Sequence, residues 1–176
     1  MKKLLLFFIV ASGFYSCKTL VPFTDSMKQR YNWTDEQIRS IQFYVSHDII
    51  LQRRLSNSST EIVQGKIKMK QGKRVDEILI RSGTPGVLTE IPRENKMMVS
   101  FEMGDDHSLS FGINPNMGDK FVLLASEWNN GSGKVHYSGL EYNTDPDSRY
   151  AHLLVNLRKI DKMQVRQRIA GGRKIK

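Results

Sequence analysis

The sequence predicts a mainly β domain, an antiparallel β-sandwich or barrel-like structure with one N-terminal α-helix. Three observations carry this prediction. Beyond residue 60 the apolar residues recur with a period of two, the spacing that places alternate side chains on one face of a strand. These runs are short and separated by clusters of Gly, Asn, Asp and Pro, the punctuation of antiparallel sheets. Only one segment carries a clear helix-start signature. The chain has 176 residues, room for one domain of ordinary size, and 39% of them are hydrophobic, enough for a packed core.

The helix is expected over Tyr31 to Val45. Thr34 reads as its N-cap, Asp35 and Glu36 fall in the first turn, and Gln37 completes a capping box. Ile38, Ile41 and Val45 then form one apolar stripe. The segment Asp48 to Arg54 either extends this helix or begins a strand.

The strands follow in order. Val63, Gly65, Ile67 and Met69 alternate with polar residues, and Val75 to Arg81 is a second strand. It ends at Ser82-Gly83-Thr84-Pro85-Gly86, where Pro-Gly suits the centre of a type II turn. Val87 to Ile91 follows. Met97, Val99, Phe101 and Met103 define the next alternation, and Leu109, Phe111 and Ile113 another, with Gly104-Asp105-Asp106 as the turn between them. Phe121 to Trp128 is almost continuously apolar and reads as a central strand. A turn at Asn129 to Gly133 leads into Val135 to Tyr142, and after the Asn143 to Ser148 loop Leu153, Val155 and Leu157 mark the last strand.

The N-terminus has a different character. Met1-Lys2-Lys3 precedes eight apolar residues, Leu4 to Ala11, which are the charged and apolar regions of a secretory signal; the run is too short for a membrane span of about 20 residues. The chain's single cysteine, Cys17, follows directly behind Ser16. One cysteine forms no intramolecular disulfide and builds no Cys-rich zinc site.

This arrangement resembles the lipobox of bacterial lipoproteins, in the loose form ending in Ser-Cys that occurs in Bacteroidota. Phe14 and Tyr15 stand where the usual pattern has Leu and a small residue. The resemblance implies that residues 1–16 are a signal peptide, that Cys17 is lipidated, and that 17–30 is a tether. A single β-rich domain then fills 31–170, with a basic tail at 171–176. It also implies a location. Lys18 stands where an Asp would retain such a protein at the inner membrane, and no acidic run of the surface-exported kind follows. The expectation is the outer membrane, with the domain facing the periplasm.

Catalytic signatures are sparse. His47, His107, His136 and His152 show no HExxH spacing, no Gly-x-Ser-x-Gly elbow occurs, and a lipidated Cys17 leaves no thiol. Asn143, Asp145 and Asp147 make an oxygen-rich loop, but the Gly and terminal Glu of a calcium loop are missing. Trp33, Trp128, Tyr137, Tyr142 and Tyr150 read as core or as the lining of a groove. No cofactor and no catalytic residue is expected; a hydrolase assembled from separate strands is the minor alternative.

The net charge of +9 is unevenly placed. Lys18 to Leu157 carries 17 basic and 17 acidic residues, so it is neutral. Arg158 to Lys176 carries eight basic residues against Asp161 alone, an excess of +7. This end is expected to be a solvated strand end with a frayed tail, a binding segment for an anionic glycan such as peptidoglycan or for anionic lipid, or a docking segment for an acidic protein. Its binding residues would be Arg166, Arg168, Arg173, Lys174 and Lys176. Nucleic acid is not expected as a partner of an envelope protein. The expected role is a structural or protein-interaction part of a cell-envelope assembly, for example a secretion machine, bound to the membrane through lipid on Cys17.

Overall fold

The computed structural model describes residues 19–55, 66–70, 73–93, 95–104 and 106–164. It is a mainly β structure in which two antiparallel sheets pack on one another, as the alternation predicts.

The first sheet takes its strands from both ends of the chain. In spatial order it runs β1 (Leu20–Pro22), β13 (Leu153–Asn156), β2 (Phe43–Val45), β6 (Pro85–Arg93), β7 (Lys96–Ser100), β8 (Ser108–Ile113) and β9 (Phe121–Leu123). It curls until β9 meets the segment leading into β13: Val122 bridges His152, and Leu123 N donates to Ala151 O at 2.8 Å. The second sheet runs β10 (Glu127–Asn129), β11 (Ser132–Tyr137), β12 (Leu140–Thr144), β3 (Ile49–Arg54), β5 (Lys73–Ile80) and β4 (Lys66–Lys70). Among the described residues there are three α-helices, α1 (Asp25–Tyr31), α2 (Asp35–Arg39) and α3 (Leu157–Gln164), and two short 3₁₀ helices, Pro115–Met117 and Pro146–Tyr150.

The core lies between the sheets. Phe23, just past β1, stands at its centre, edge-on to Phe43 at 5.1 Å and against Phe121 at 5.0 Å. Trp33 stacks on Phe23 at 6.1 Å and on Tyr31 at 4.7 Å, closing the core from the helical side. Leu109, Phe111, Leu123, Leu153 and Val155 are buried around them, and Ile38 of α2 and Ile160 of α3 plug the ends. Each such side chain stabilises the fold by about 1.5–3 kcal/mol through removal of apolar surface from water.

Several elements differ from the sequence prediction. The predicted tether at 17–30 is structured from Thr19 onward, as β1 and α1, because Thr24 caps α1 and β1 has a partner in β13. The capping box at Thr34 and Gln37 is present, but the helix it starts ends at Arg39. Ile38, Ile41 and Val45 are all buried, yet Val45 reaches the core from a strand, since Phe43-Tyr44-Val45 pairs with β13 on one side and with Pro85-Gly86 on the other. There are thus two short N-terminal helices, not one long one, and Asp48 to Arg54 resolves as a strand.

The turn after β5 is Arg81 to Thr84, with Gly83 at φ +79°; Pro85 and Gly86 already belong to β6. The alternation from Met97 stops early: Met97 and Val99 are buried, but the strand ends at Ser100 and Met103 is 99% exposed. The predicted central strand at Phe121 to Trp128 is two short strands in different sheets: Leu124 N still bonds Ser110 O of β8, whereas Ser126 N bonds Lys134 O of β11. Val135 to Tyr142 is likewise a hairpin. Its turn is Ser138-Gly139, at φ 53° and 71°, like the Asn130-Gly131 turn before it at 48° and 83°; both suit the primed turns whose twist matches the strands. The final strand stops at Asn156, and Leu157 begins α3. Val63 and Gly65 lie outside the described residues.

Candidate functional site

Three places gather polar side chains. The first is a row across the inner face of the second sheet. Arg53 of β3 and Asp76 of β5 are register partners, and Tyr142 follows on β12. The Tyr142 hydroxyl donates to Asp76 Oδ2 at 2.8 Å, and the Arg53 guanidinium lies 3.6 Å from the same oxygen and 5.8 Å from the Tyr142 ring centre. Asp76 is 1% exposed, so this carboxylate is held in place by its donors. Burial first, and then the Asp76 carboxylate, push the Tyr142 phenol up to about 12.

Beside it, the fully buried Tyr137 donates to Glu102 Oε1 at 2.6 Å, and burial followed by that bond raises its phenol strongly. His107 stands edge-on to Tyr137 at 5.3 Å and 3.7 Å from Glu102 Oε1. Its ring packs against Gly104, where φ is +125° and a Cβ would fall 2.5 Å from Nδ1, so no larger residue fits there. A small cavity of about 90 Å³ opens here, lined by Ile78, Ile80, Phe101, Glu102 and Tyr137 among others.

The second place is the seam where β2 meets β13. The Ser46 hydroxyl is within 2.8 Å of His47 Nδ1 and 2.9 Å of His152 Nδ1, and it accepts from His152 N–H at 2.8 Å. His152 Nδ1 also lies 3.0 Å from the Tyr150 carbonyl, which can only accept. That puts the proton of neutral His152 on Nδ1 and leaves the Ser46 proton directed at His47 Nδ1. Burial chiefly lowers the His152 pKa, with Lys120 and His47 adding repulsion, although the Tyr150 carbonyl acts the other way. Two histidines that are 105 residues apart in sequence thus meet at one serine, a juxtaposition that no spacing rule signals. A hydroxyl on an imidazole makes two of the three members of a nucleophile–base–carboxylate triad; the third, a carboxylate orienting the base, is not bonded to His47 among the described residues.

The third place is the edge formed by β1, β13 and α3. Leu20 pairs with Asn156, and Leu157 N donates to Thr19 O at 3.4 Å, so the chain enters and leaves the sheet side by side. A groove of about 330 Å³ runs along this edge, lined by Val21, Thr24, Met27, Arg30, Tyr31 and Leu157 among others. Arg158 and Lys159 point to solvent, while Ile160 is pinned in the core.

The residues singled out in the sequence are distributed as follows. Cys17, Arg166, Arg168, Arg173, Lys174 and Lys176 lie outside the described residues, as does the weak strand pattern at 165–169. The five aromatics do not share one groove: Tyr137 and Tyr142 are core, Trp33 is half-buried, and Trp128 and Tyr150 are exposed. Of the predicted Asn143 to Ser148 loop, Asn143 and Thr144 belong to β12, and the rest is stitched to β3, with Asp145 N on Ile50 O, Ile50 N on Ser148 Oγ, and Ser148 Oγ donating to Asp145 Oδ1. His136 is exposed on β11. Among the described residues, no three His, Cys, Asp or Glu side chains gather to hold a metal ion, and no helix is long and apolar enough to cross a membrane. The chain matches no protein-family model, no curated protein and no solved structure.

Proposed function

We propose that this chain is a lipid-anchored envelope lipoprotein whose β domain serves as a structural or protein-interaction part of a cell-envelope assembly, at the periplasmic side of the outer membrane. The observation that carries the reading is the position of Cys17, behind Ser16 shortly after the signal-like apolar run Leu4 to Ala11 and three residues before β1 begins at Leu20. More than one acyl chain is needed for stable anchoring, at about 0.8 kcal/mol per buried CH₂, and the lipoprotein pattern supplies them. The short distance from Cys17 to β1 would hold the domain close to the bilayer. One edge strand of the second sheet, β10, supports the interaction role: Glu127, Trp128 and Asn129 are all exposed, and Trp is enriched in protein interfaces.

The anchor is tested by metabolic labelling with palmitate. Label on the wild type and none on Cys17→Ser supports it; an unlabelled wild type overturns it. Crosslinking in intact cells tests the second half. A defined crosslinked partner that is lost in Trp128→Ala supports an interaction role, and a wild type that crosslinks to nothing overturns it.

A further inference from the structure

The chain between β7 and β8 reaches from the first sheet to the second. Tyr137 donates to Glu102 Oε1 at 2.6 Å, and Ser138 N donates to Asp106 O at 2.8 Å, so this connection is tied to the β11–β12 hairpin at two points. Ser100 Oγ donates to Glu102 O at 2.7 Å and fixes the backbone there. The Glu102 carboxylate is thus held in place by the fold, but its charge is not answered. Among the described residues no lysine or arginine lies within ion-pair distance of it; His107 Nε2 is 3.7 Å from Oε1. The Glu102 side chain is 49% exposed, and its second oxygen accepts from no described residue.

Glu102 forms one wall of the cavity of about 90 Å³. Apart from Thr84, the other lining residues, Ile78, Leu79, Ile80, Phe101 and Tyr137, are aliphatic or aromatic. The volume is about three times the share of one water molecule, room for two methylenes and an ammonium. The planar guanidinium of arginine is wider. Three exposed large apolar side chains border the same place. Leu79 lines it, Met103 directly follows Glu102, and Leu140 is the register partner of Tyr137. Exposed apolar side chains gathered around one polar group mark a surface that a partner covers.

We propose that this cavity receives the ammonium end of a lysine side chain from a partner protein, with Glu102 as its counter-charge and Leu79, Met103 and Leu140 as the apolar rim that the partner covers. The inference rests on the reading of the domain as a protein-interaction part of an assembly, and gives that reading a specific contact. Lysine suits such a wall because its stem is apolar and only its tip is charged. Once the rim is covered, water is excluded and the charge-assisted bond to Glu102 strengthens. Tyr137 already directs one carboxylate oxygen, so little further ordering is needed on binding.

The probe is n-butylammonium chloride, which reproduces the lysine stem and tip. It is titrated into the full chain, isotope-labelled at the isoleucine methyl groups and held in dodecyl maltoside, and followed by NMR. The Ile78 and Ile80 methyl resonances should shift saturably. n-Butanol, with the same stem and no charge, should bind about tenfold more weakly. n-Propylguanidinium, charged but wider, should also bind more weakly than n-butylammonium. Glu102→Gln keeps an acceptor for Tyr137 and removes the charge. It should weaken n-butylammonium about tenfold and leave n-butanol unchanged. Glu36→Gln, on α2, which contributes no residue to the cavity, should leave both unchanged.

Absence of a saturable shift, n-butanol binding as tightly as n-butylammonium, or equal loss in Glu36→Gln overturns the proposal. The comparison of the two probes on the wild type stands even if Glu102→Gln fails to fold. n-Propylguanidinium binding as tightly as n-butylammonium overturns the assignment to lysine. A dimer of the chain that dissociates in Glu102→Gln places the lysine on a second copy and overturns the separate partner. Crosslinking in cells separates this inference from the interaction reading. A crosslinked partner without n-butylammonium binding removes the inference and leaves that reading; n-butylammonium binding in a chain that crosslinks to nothing removes the reading and leaves an amine site.

Discussion

Around Phe23 the interior is aromatic and aliphatic throughout, whereas around Asp76 it contains a carboxylate, a guanidinium and two phenols. Both regions lie between the same two sheets, and both are built from strands with alternate residues facing inward. At the Phe23 centre, Phe23 interlocks at 5.0–6.1 Å with rings from β2 and β9 and with Trp33, and specificity comes from shape. At the Asp76 row, the strands have placed a carboxylate in the interior, and the structure answers with Arg53 on the neighbouring β3 and Tyr142 on β12 beyond it. The first region depends on filled volume. The second depends on every charge keeping its partners, so single changes there leave a group stranded.

Mutations should separate the two modes. Phe23→Ala removes a fully buried ring that touches three other aromatics, and a loss of about 4 kcal/mol is expected in chemical denaturation. A loss below about 2 kcal/mol would mean that the centre collapses readily around the gap. Asp76→Ala strips Tyr142 of its acceptor and removes the Asp76 carboxylate from beside Arg53, with an expected loss of about 3 kcal/mol. Tyr142→Phe keeps the ring and removes only the hydroxyl, with an expected loss of about 1 kcal/mol. Equal losses from Asp76→Ala and Tyr142→Phe would show that Arg53 contributes nothing to the row. The same variant has a signature at high pH. Because the folded phenol titrates at about 12 and an ordinary tyrosine near 10, the wild type should lose stability as pH rises past 10, and Tyr142→Phe should lose less.

The smallest effect is expected at the seam. His152 is held neutral below the ordinary value of 6.5, so its folded and unfolded forms are equally unprotonated above that pH. As pH falls through 6.5 the unfolded chain takes up the proton first, and the folded state loses stability. His152→Gln should flatten the denaturation midpoint between pH 7.5 and 5.5. A wild type whose midpoint does not fall over that interval would contradict the burial of this imidazole.

The difference between the two regions also shows why only part of the molecule is readable in one dimension. A period of two identifies a strand but not which of its faces points inward. In β5 the alternatives are Val75 and Leu79 or Asp76, Ile78 and Ile80; the second set contains the inner Asp76, while Leu79 is 42% exposed. Partners on β3 and β12 make that choice, and they are distant in sequence. The predicted helix shows the same limit. Thr34 and Gln37 set its start, because capping is local, but its end was decided by β13 and β6 recruiting Phe43 to Val45. The long apolar run at Phe121 to Trp128 was divided between sheets because the two ends of the run found different neighbours.

The sequence by itself determined the fold class, the capped helix start, the turn at Asn129 to Gly133, the lone Cys17 behind an apolar leader, and the confinement of positive charge to the last nineteen residues. These are properties of neighbouring residues, or sums over residues. Only the tertiary structure decided that Ser46 meets His47 and His152, that Asp76 is buried against Tyr142, and that Thr19 lies beside Leu157. Each of these is a long-range pairing. Such pairings are fixed by which strands share a hydrogen-bonded edge, and that depends on the packing of the whole chain.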